Sequence, residues 1–309
     1  MLRRFRGGCE GRRTRRGIAR RCCRACLPRC ARAGGRTVRD GVRAVTLLAE
    51  NLALSAGNRC LLAPTTLRLA PGAVTAILGP NGAGKSTLLN VLAGARRPEG
   101  GGVRLDGAAV CEVPPAALAL RRALMPQDSG IAFDFTAHEV VALGRFPHRA
   151  TPCPDDHPDG GEDAIVAAAM AATGVLGLAP RVLNTLSGGE RARVQLARAL
   201  AQLWQPRPGG ASRWLLLDEP TAALDLAHQH AALRLLRGWA ARGVGVALVL
   251  HDLNLARRYA DAVVVLDGEG RAHCGPTAEV LVPARIAQVW DMPCEAVVAG
   301  DGMAQFLFA

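Results

Sequence analysis

One nine-residue segment, Gly79-Pro80-Asn81-Gly82-Ala83-Gly84-Lys85-Ser86-Thr87, fits the phosphate-loop pattern G-x-x-x-x-G-K-[ST] and restricts what can stand on either side of it. Such a loop wraps an anion only when a buried strand delivers it and a helix leaves it, because loop N–H groups and the positive helix end must converge. The flanks fit. Ala73-Val74-Thr75-Ala76-Ile77-Leu78 is an apolar run of strand length, and Leu88-Leu89-Asn90-Val91-Leu92 reads as helix. Gly79, Gly82 and Gly84 let the backbone turn its N–H groups inward. Lys85 is the only lysine in the chain, against 37 arginines. A planar guanidinium is too bulky inside a loop closed around phosphate, whereas an ammonium on a flexible stem reaches the β- and γ-phosphates. The Ser86 hydroxyl is left to hold Mg²⁺.

With 309 residues, half of them hydrophobic, the chain can bury the core of one large domain or two small ones. Its net charge of +12 misleads as a whole-chain property. Residues 1–44 hold fifteen arginines against Glu10 and Asp40, a net +13, which leaves −1 for residues 45–309. The folded part is thus near neutral, and no basic stripe for nucleic acid is indicated there. The cysteines are skewed the same way, with Cys9, Cys22, Cys23, Cys26 and Cys30 in the tail and the others scattered. That spread suits a reducing compartment better than a disulfide framework. Cys23-x-x-Cys26 with Cys30 could hold zinc, but the tail has no His and no second well-spaced pair. Arg3-Arg4 is not followed by the apolar run of a secretory signal. Residues 1–44 are expected to be a disordered Arg/Cys-rich arm, or the result of a start assigned upstream of a true one near Val38–Val45.

Further along, Thr46 to Leu54, Val103-Arg104-Leu105 and Ala123-Leu124-Met125-Pro126-Gln127 read as strands. Residues 128–186 turn to short helical patterns, interrupted by an acidic Pro/Gly-rich loop over 151–161. Ala164 to Pro180, the longest charge-free apolar stretch, is alanine-rich and broken by Gly174 and Gly177, too short to span a bilayer. Val194, Ala197, Leu200, Ala201 and Trp204 have the 3-and-4 spacing of a helix. Trp214 to Leu217 and Val244 to Leu250 are continuous apolar runs, as expected of parallel strands buried on both faces. Strands alternating with helices predict a doubly wound α/β core with a helical insertion.

Three more sites carry chemistry. Leu186-Ser187-Gly188-Gly189-Glu190 precedes a helix, where free N–H groups, a hydroxyl and the dipole make a second anion site or a plain capped turn. Asp218-Glu219 follows the apolar strand 214–217, where the first carboxylate suits Mg²⁺ and the second suits polarising an attacking water. His251 ends the strand 244–250, within reach of a γ-phosphate if it is not a structural histidine.

In this order the segments resemble the ATP-binding subunits of ABC transporters over almost all of residues 46–280. The resemblance makes 79–87 the Walker A loop, Gln127 the Q-loop glutamine and 186–190 the signature. It makes 214–218 Walker B, Glu219 the catalytic carboxylate, Ala222-Ala223-Leu224-Asp225 the D-loop and His251 the H-loop. The implied architecture is an α/β P-loop NTPase core over 45–285, with a helical subdomain at about 128–186, a small antiparallel β region and a C-terminal extension over 286–309. ATP would be held by Gly79 through Thr87, Gln127, Ser187, Gly188 and Gly189, with Mg²⁺ on Ser86, Gln127 and Asp218. Lys85, Glu219 and His251 would be catalytic. Two subunits would pack head to tail as a homodimer, placing Lys85 of one and Ser187 of the other on one ATP.

Gly144-Arg145-Phe146-Pro147-His148 resembles the branch serving iron-chelate, heme and cobalamin importers. The run from Leu186 to Trp204, the polar insert 205–213 and His251-Asp252-Leu253-Asn254-Leu255-Ala256 are most similar to heme import ATPases. That implies two transmembrane permease subunits, indirectly a periplasmic heme-binding protein, no nucleic acid, and a position on the cytoplasmic face of a bacterial inner membrane. The same machinery carries iron-siderophores or cobalamin. A soluble ABC ATPase acting on ribosomes or nucleic acid is the competing class, but this chain has one cassette and 87–186 shows no sustained heptads. One departure stands out. The family stacks adenine on an aromatic residue upstream of Walker A, and residues 45–72 contain none, with Leu54 or Ala56 in its place. Forgoing a stack costs about 1–3 kcal/mol by analogy with base stacking. Cys153-Pro154 could ligate heme, though an ordinary loop cysteine explains it as well. Deleting residues 1–44 is expected to leave ATP turnover unchanged, checked by steady-state assay of the truncated protein.

Overall fold

Strands buried on both faces lie at the centre of the computed structural model, which describes residues 46–127, 133–149, 161–207, 210–300 and 302–308. The expectations for residues 1–44, for most of the 151–161 loop and for Cys153 lie outside those residues. In chain order, β1 (Leu47–Ala56) and β2 (Arg59–Leu69) pair, and β3 (Val74–Leu78) leads through the glycine loop into α1 (Lys85–Leu92). Next come β4 (Gly100–Leu105), β5 (Ala108–Ala109), α2 (Pro115–Ala119) and β6 (Arg122–Met125). Helices α3 (Ala137–Leu143), α4 (Gly161–Ala172) and α5 (Gly188–Gln202) precede β7 (Trp214–Leu217) and α6 (Leu226–Ala240). The chain continues with β8 (Gly245–Val249), α7 (Leu253–Tyr259), β9 (Ala262–Leu266) and β10 (Ala272–Pro276). It ends with α8 (Thr277–Val280), α9 (Pro283–Trp290), β11 (Cys294–Val298) and β12 (Ala304–Phe308).

The main sheet has the order β10-β9-β3-β8-β7-β6, parallel except for β10. A second sheet, β2-β1-β4-β5, is antiparallel, and β11 pairs with β12 in a two-stranded sheet. The apolar runs alternate between two cores on either face of the main sheet. Ala76, Leu78, Leu215, Leu217, Val246 and Leu248 join the core shared with α3 to α7. Ile77, Trp214, Leu216, Ala247 and Val249 join the other, with α1 and the antiparallel sheet. Each strand side chain therefore leaves water whichever way it points, which is why these segments carry no polar alternation. The edge strand β6 does alternate, buried at Ala123 and Met125 only.

Helix α5 begins in the signature but packs in the same core as α3 and α4, so the helical layer continues past residue 186. The Gly-Arg-Phe-Pro-His segment fastens this layer. A Cβ on Gly144 would stand 2.3 Å from the Arg198 carbonyl oxygen of α5, so only glycine permits that approach. Arg145 is buried, donating to Ala201 O (2.8 Å) and Gln205 Oε1 (3.0 Å) and pairing with Glu162 of α4. His148 lies 2.9 Å from Gln202 O, and burial pushes its imidazole below the usual range, towards the neutral form. Gln202 in turn donates to Ala119 O (2.7 Å) and Arg122 O (3.0 Å), tying the end of α5 to the α2–β6 segment.

The last segment is an ordered part of the fold. Phe306 is buried, and the Asn254 amide of α7 clasps its backbone, accepting from the N–H (2.7 Å) and donating to the carbonyl (3.1 Å). Among the described residues no helix is long and apolar enough to cross a membrane. Gly144→Ala is expected to cost about 2 kcal/mol by forcing α3 off α5, measured by chemical denaturation.

Candidate active site

The site forms where β3, β6, β7 and β8 end. In the register, Ile77 lies beside Val249 and Met125 beside Leu217, so the residues after each strand emerge at one level. Ligands of open parallel sheets collect at this carboxyl edge. Leu250 N–H donates to Ile77 O (3.2 Å) and Asp218 N–H to Met125 O (2.8 Å), carrying the alignment past the strand ends.

After Leu78, the loop passes so near β9 that a Cβ on Gly79 would lie 2.3 Å from Leu266 O. Gly84 caps α1 with φ 96°, in the left-handed region that costs a side chain about 1 kcal/mol or more. Lys85 follows, buried, its Nζ donating to Gly79 O (3.0 Å) and Pro80 O (3.1 Å) of its own loop. Burial holds the ammonium below the usual lysine range, while the Glu219 and Asp218 charges pull it back up.

Ser86 Oγ donates to Asp218 Oδ1 at 3.1 Å, bridging α1 and β7. Asp218 is only 3% exposed, and burial raises its pKa, with Ser86, Lys85 and His251 countering and Glu219 reinforcing. A hydroxyl and a carboxylate oxygen side by side are hard donors that fit Mg²⁺, which usually takes one or two protein oxygens alongside substrate phosphates and water. Glu219 turns the chain with φ 50°, a left-handed conformation for a residue with a Cβ. Its Oε1 stands 2.6 Å from His251 Nε2, so two strand ends meet in one hydrogen bond.

Lys85, Ser86, Asp218, Glu219 and His251 are therefore one cluster. Gln127, exposed after β6, lines a cleft of about 340 Å³ with Asp218, Glu219 and Gly188, though no hydrogen bond of its side chain joins it to them. Ser187 is the N-cap of α5, its Oγ accepting from Glu190 N (3.2 Å) while Glu190 Oε2 accepts from Ser187 N (2.8 Å). Gly189 packs against the segment after Glu219, where its Cβ would lie 3.0 Å from Ala223 O. The signature thus faces the cleft from its own helix and makes no hydrogen bond to the phosphate loop among the described residues. Asp225 caps α6 by accepting from His228 N at 2.9 Å.

Sequence reasoning missed Gln195. It is 3% exposed, lines the same cleft, and neither amide atom has a partner among the described residues. The available signal was helical period, since Gly188, Arg191, Ala192 and Gln195 fall on one face of α5. Of the two positions considered for an adenine stack, Leu54 is buried inside the second core and cannot meet a ligand, while Ala56 is exposed.

The "ABC transporter" family matches over residues 62–222. A "Hemin import ATP-binding protein HmuV" from Burkholderia pseudomallei is 47% identical over 272 residues, 84% of this chain and 97% of that protein. A protein of the same name from Gloeobacter violaceus is 49% identical over 72% of this chain and 79% of its own length. Among solved structures, a chain of a metal-chelate type ABC transporter in an inward-facing conformation superposes with TM-score 0.69 at 27% identity, covering 86% of this chain and 98% of that one. A dimeric ATP-binding cassette in a post-hydrolysis state, bound to ADP and Pi, gives 0.63 at 25% identity, covering 75% and 98%. Lys85→Ala is expected to lower ATP turnover by about 100-fold or more. Its fold should be retained, because the Lys85 side chain hydrogen-bonds only to carbonyls of its own loop and ties no second element to it. Turnover assay and calorimetry check both.

Proposed function

The chain belongs to the ABC transporter family of ATP-binding proteins, and from that premise we propose that it hydrolyses ATP to drive hemin import through a membrane permease. The observation that carries the cargo is that relatives matching at 47–49% identity, one over nearly its whole length, are named for hemin import. The likeness to a metal-chelate type transporter supports a second reading, an iron-siderophore or cobalamin cargo on the same machinery.

In this reading the N–H groups of residues 79–87 wrap the phosphates, and Lys85 exchanges the Gly79 and Pro80 carbonyls for β- and γ-phosphate oxygens. Ser86, Asp218 and Gln127 would hold Mg²⁺, which when bound would neutralise phosphate charge. Glu219 polarises the attacking water and accepts its proton, with the imidazole of His251 orienting the carboxylate through their 2.6 Å contact. Ser187, Gly188 and Gly189 serve the ATP of a second subunit packed head to tail, since within one chain Ser187 only caps its own helix.

The working unit is then a homodimer of ATPase subunits on two permease subunits at the cytoplasmic face of an inner membrane, with a periplasmic heme-binding protein delivering cargo. Residues 45–285 form the ATP-binding domain, and nucleic acid has no part in it. Glu219→Gln is expected to bind ATP without turning it over and to elute as a closed dimer in size-exclusion chromatography. Monomer alone under saturating ATP would overturn the sandwich. Proteoliposomes of the whole transporter should take up hemin with ATP, and uptake of cobalamin or ferric siderophore instead would move the cargo to the second reading.

A further inference from the structure

The start of β2 runs along the outside of the phosphate loop. Arg59 and Leu61, on either side of Cys60 where the pairing with β1 slips, each approach a loop glycine. Leu61 sits against Gly84, where a Cβ would lie 3.1 Å from it, and the Arg59 guanidinium sits beside Gly82, with Nη1 3.5 Å from where a Cβ would be. Cys60 between them turns away to Gly270.

Arg59 is held there without being neutralised. Its Nη2 donates to Gly268 O at 3.2 Å, and no carboxylate among the described residues pairs with it. Of five N–H donors, most stay free. Its cross-strand partner is Ala56, whose methyl leaves the side chain exposed. The strand pairing thus puts an unpaired, preorganised cation next to the loop, at the hairpin end that lacks an aromatic residue.

We propose that Arg59 is a nucleotide-contacting residue whose guanidinium donates to phosphate oxygens of the ATP held in the loop, so that phosphate charge supplies affinity that a stacked ring supplies in other family members. The inference rests on the ATP reading above. Phosphate is the target because Nη1 lies beside Gly82, a residue of the anion wrap itself, and a planar fork presents two parallel donors to such oxygens. A contact of this kind ignores the base, so ATP and GTP should be accepted alike.

The test is steady-state turnover of ATP and GTP by the full-length chain with its permease, as wild type, Arg59→Ala, Arg59→Lys and Arg59→Trp. In Arg59→Ala, KM for both nucleotides should rise about tenfold, as for a solvent-facing charged hydrogen bond, while kcat changes much less. Lysine should recover most of the loss and tryptophan none, and added salt should raise the wild-type KM more steeply than that of Arg59→Ala. An Arg59→Ala KM within twofold of wild type overturns the proposal. So does rescue by tryptophan but not lysine, which would put the contact on the base. A wild type that neither binds nor hydrolyses ATP overturns the ATP reading and this inference together, whereas an active wild type with an unaltered Arg59→Ala overturns this inference alone.

Discussion

Parallel register is the constraint on which the rest of the molecule depends. β3, β8, β7 and β6 are aligned so that Leu78, Leu250, Asp218 and Pro126 leave the sheet within one residue of the same height. The candidate site residues lie at or directly after those points, at 79–86, 251, 218–219 and 127. A slip of two residues in any one pairing would carry its group roughly 7 Å away. What prevents the slip in the three inner strands is the dual core: β3, β8 and β7 are locked by side chains on both faces, so none of them can slide without exposing apolar surface on two sides.

Within the cluster, charge is held out of water at some cost. Asp218 is raised and Lys85 lowered from their ordinary values by the same burial, and each partly restores the other's charged form. The only direct side-chain bond between the loop and the carboxylates is Ser86 to Asp218; Lys85 bonds to carbonyls instead. An ammonium that rests on its own backbone is free to turn towards a more strongly charged partner, which suits a loop built to receive phosphate.

The sequence exposed the parts where local pattern and global position agree. Continuous apolar runs at 74–78, 214–217 and 245–249 mark strands covered on both faces, and the residues after them were legible as a site for that reason. The C-terminal hairpin was not, because its placement depends on Asn254 clasping a backbone fifty-two residues away. Leu54 was misplaced because β1 carries register irregularities between Ala49 and Ser55, so inward and outward positions could not be counted from the strand's start. Gln195 and Arg59 belong to no motif. One is found only by following a helix face for two turns, the other only once the hairpin is seen against the loop.

Glu219 has a consequence for how this protein could change. Its left-handed backbone suits glycine or asparagine and taxes any residue with a larger side chain by about 1–3 kcal/mol. A search among variants for heat resistance alone would therefore favour glycine at 219, and would discard the carboxylate that faces His251. At this one position the demands of folding and of the proposed chemistry point to different residues, so the most stable chain and a working one would differ there.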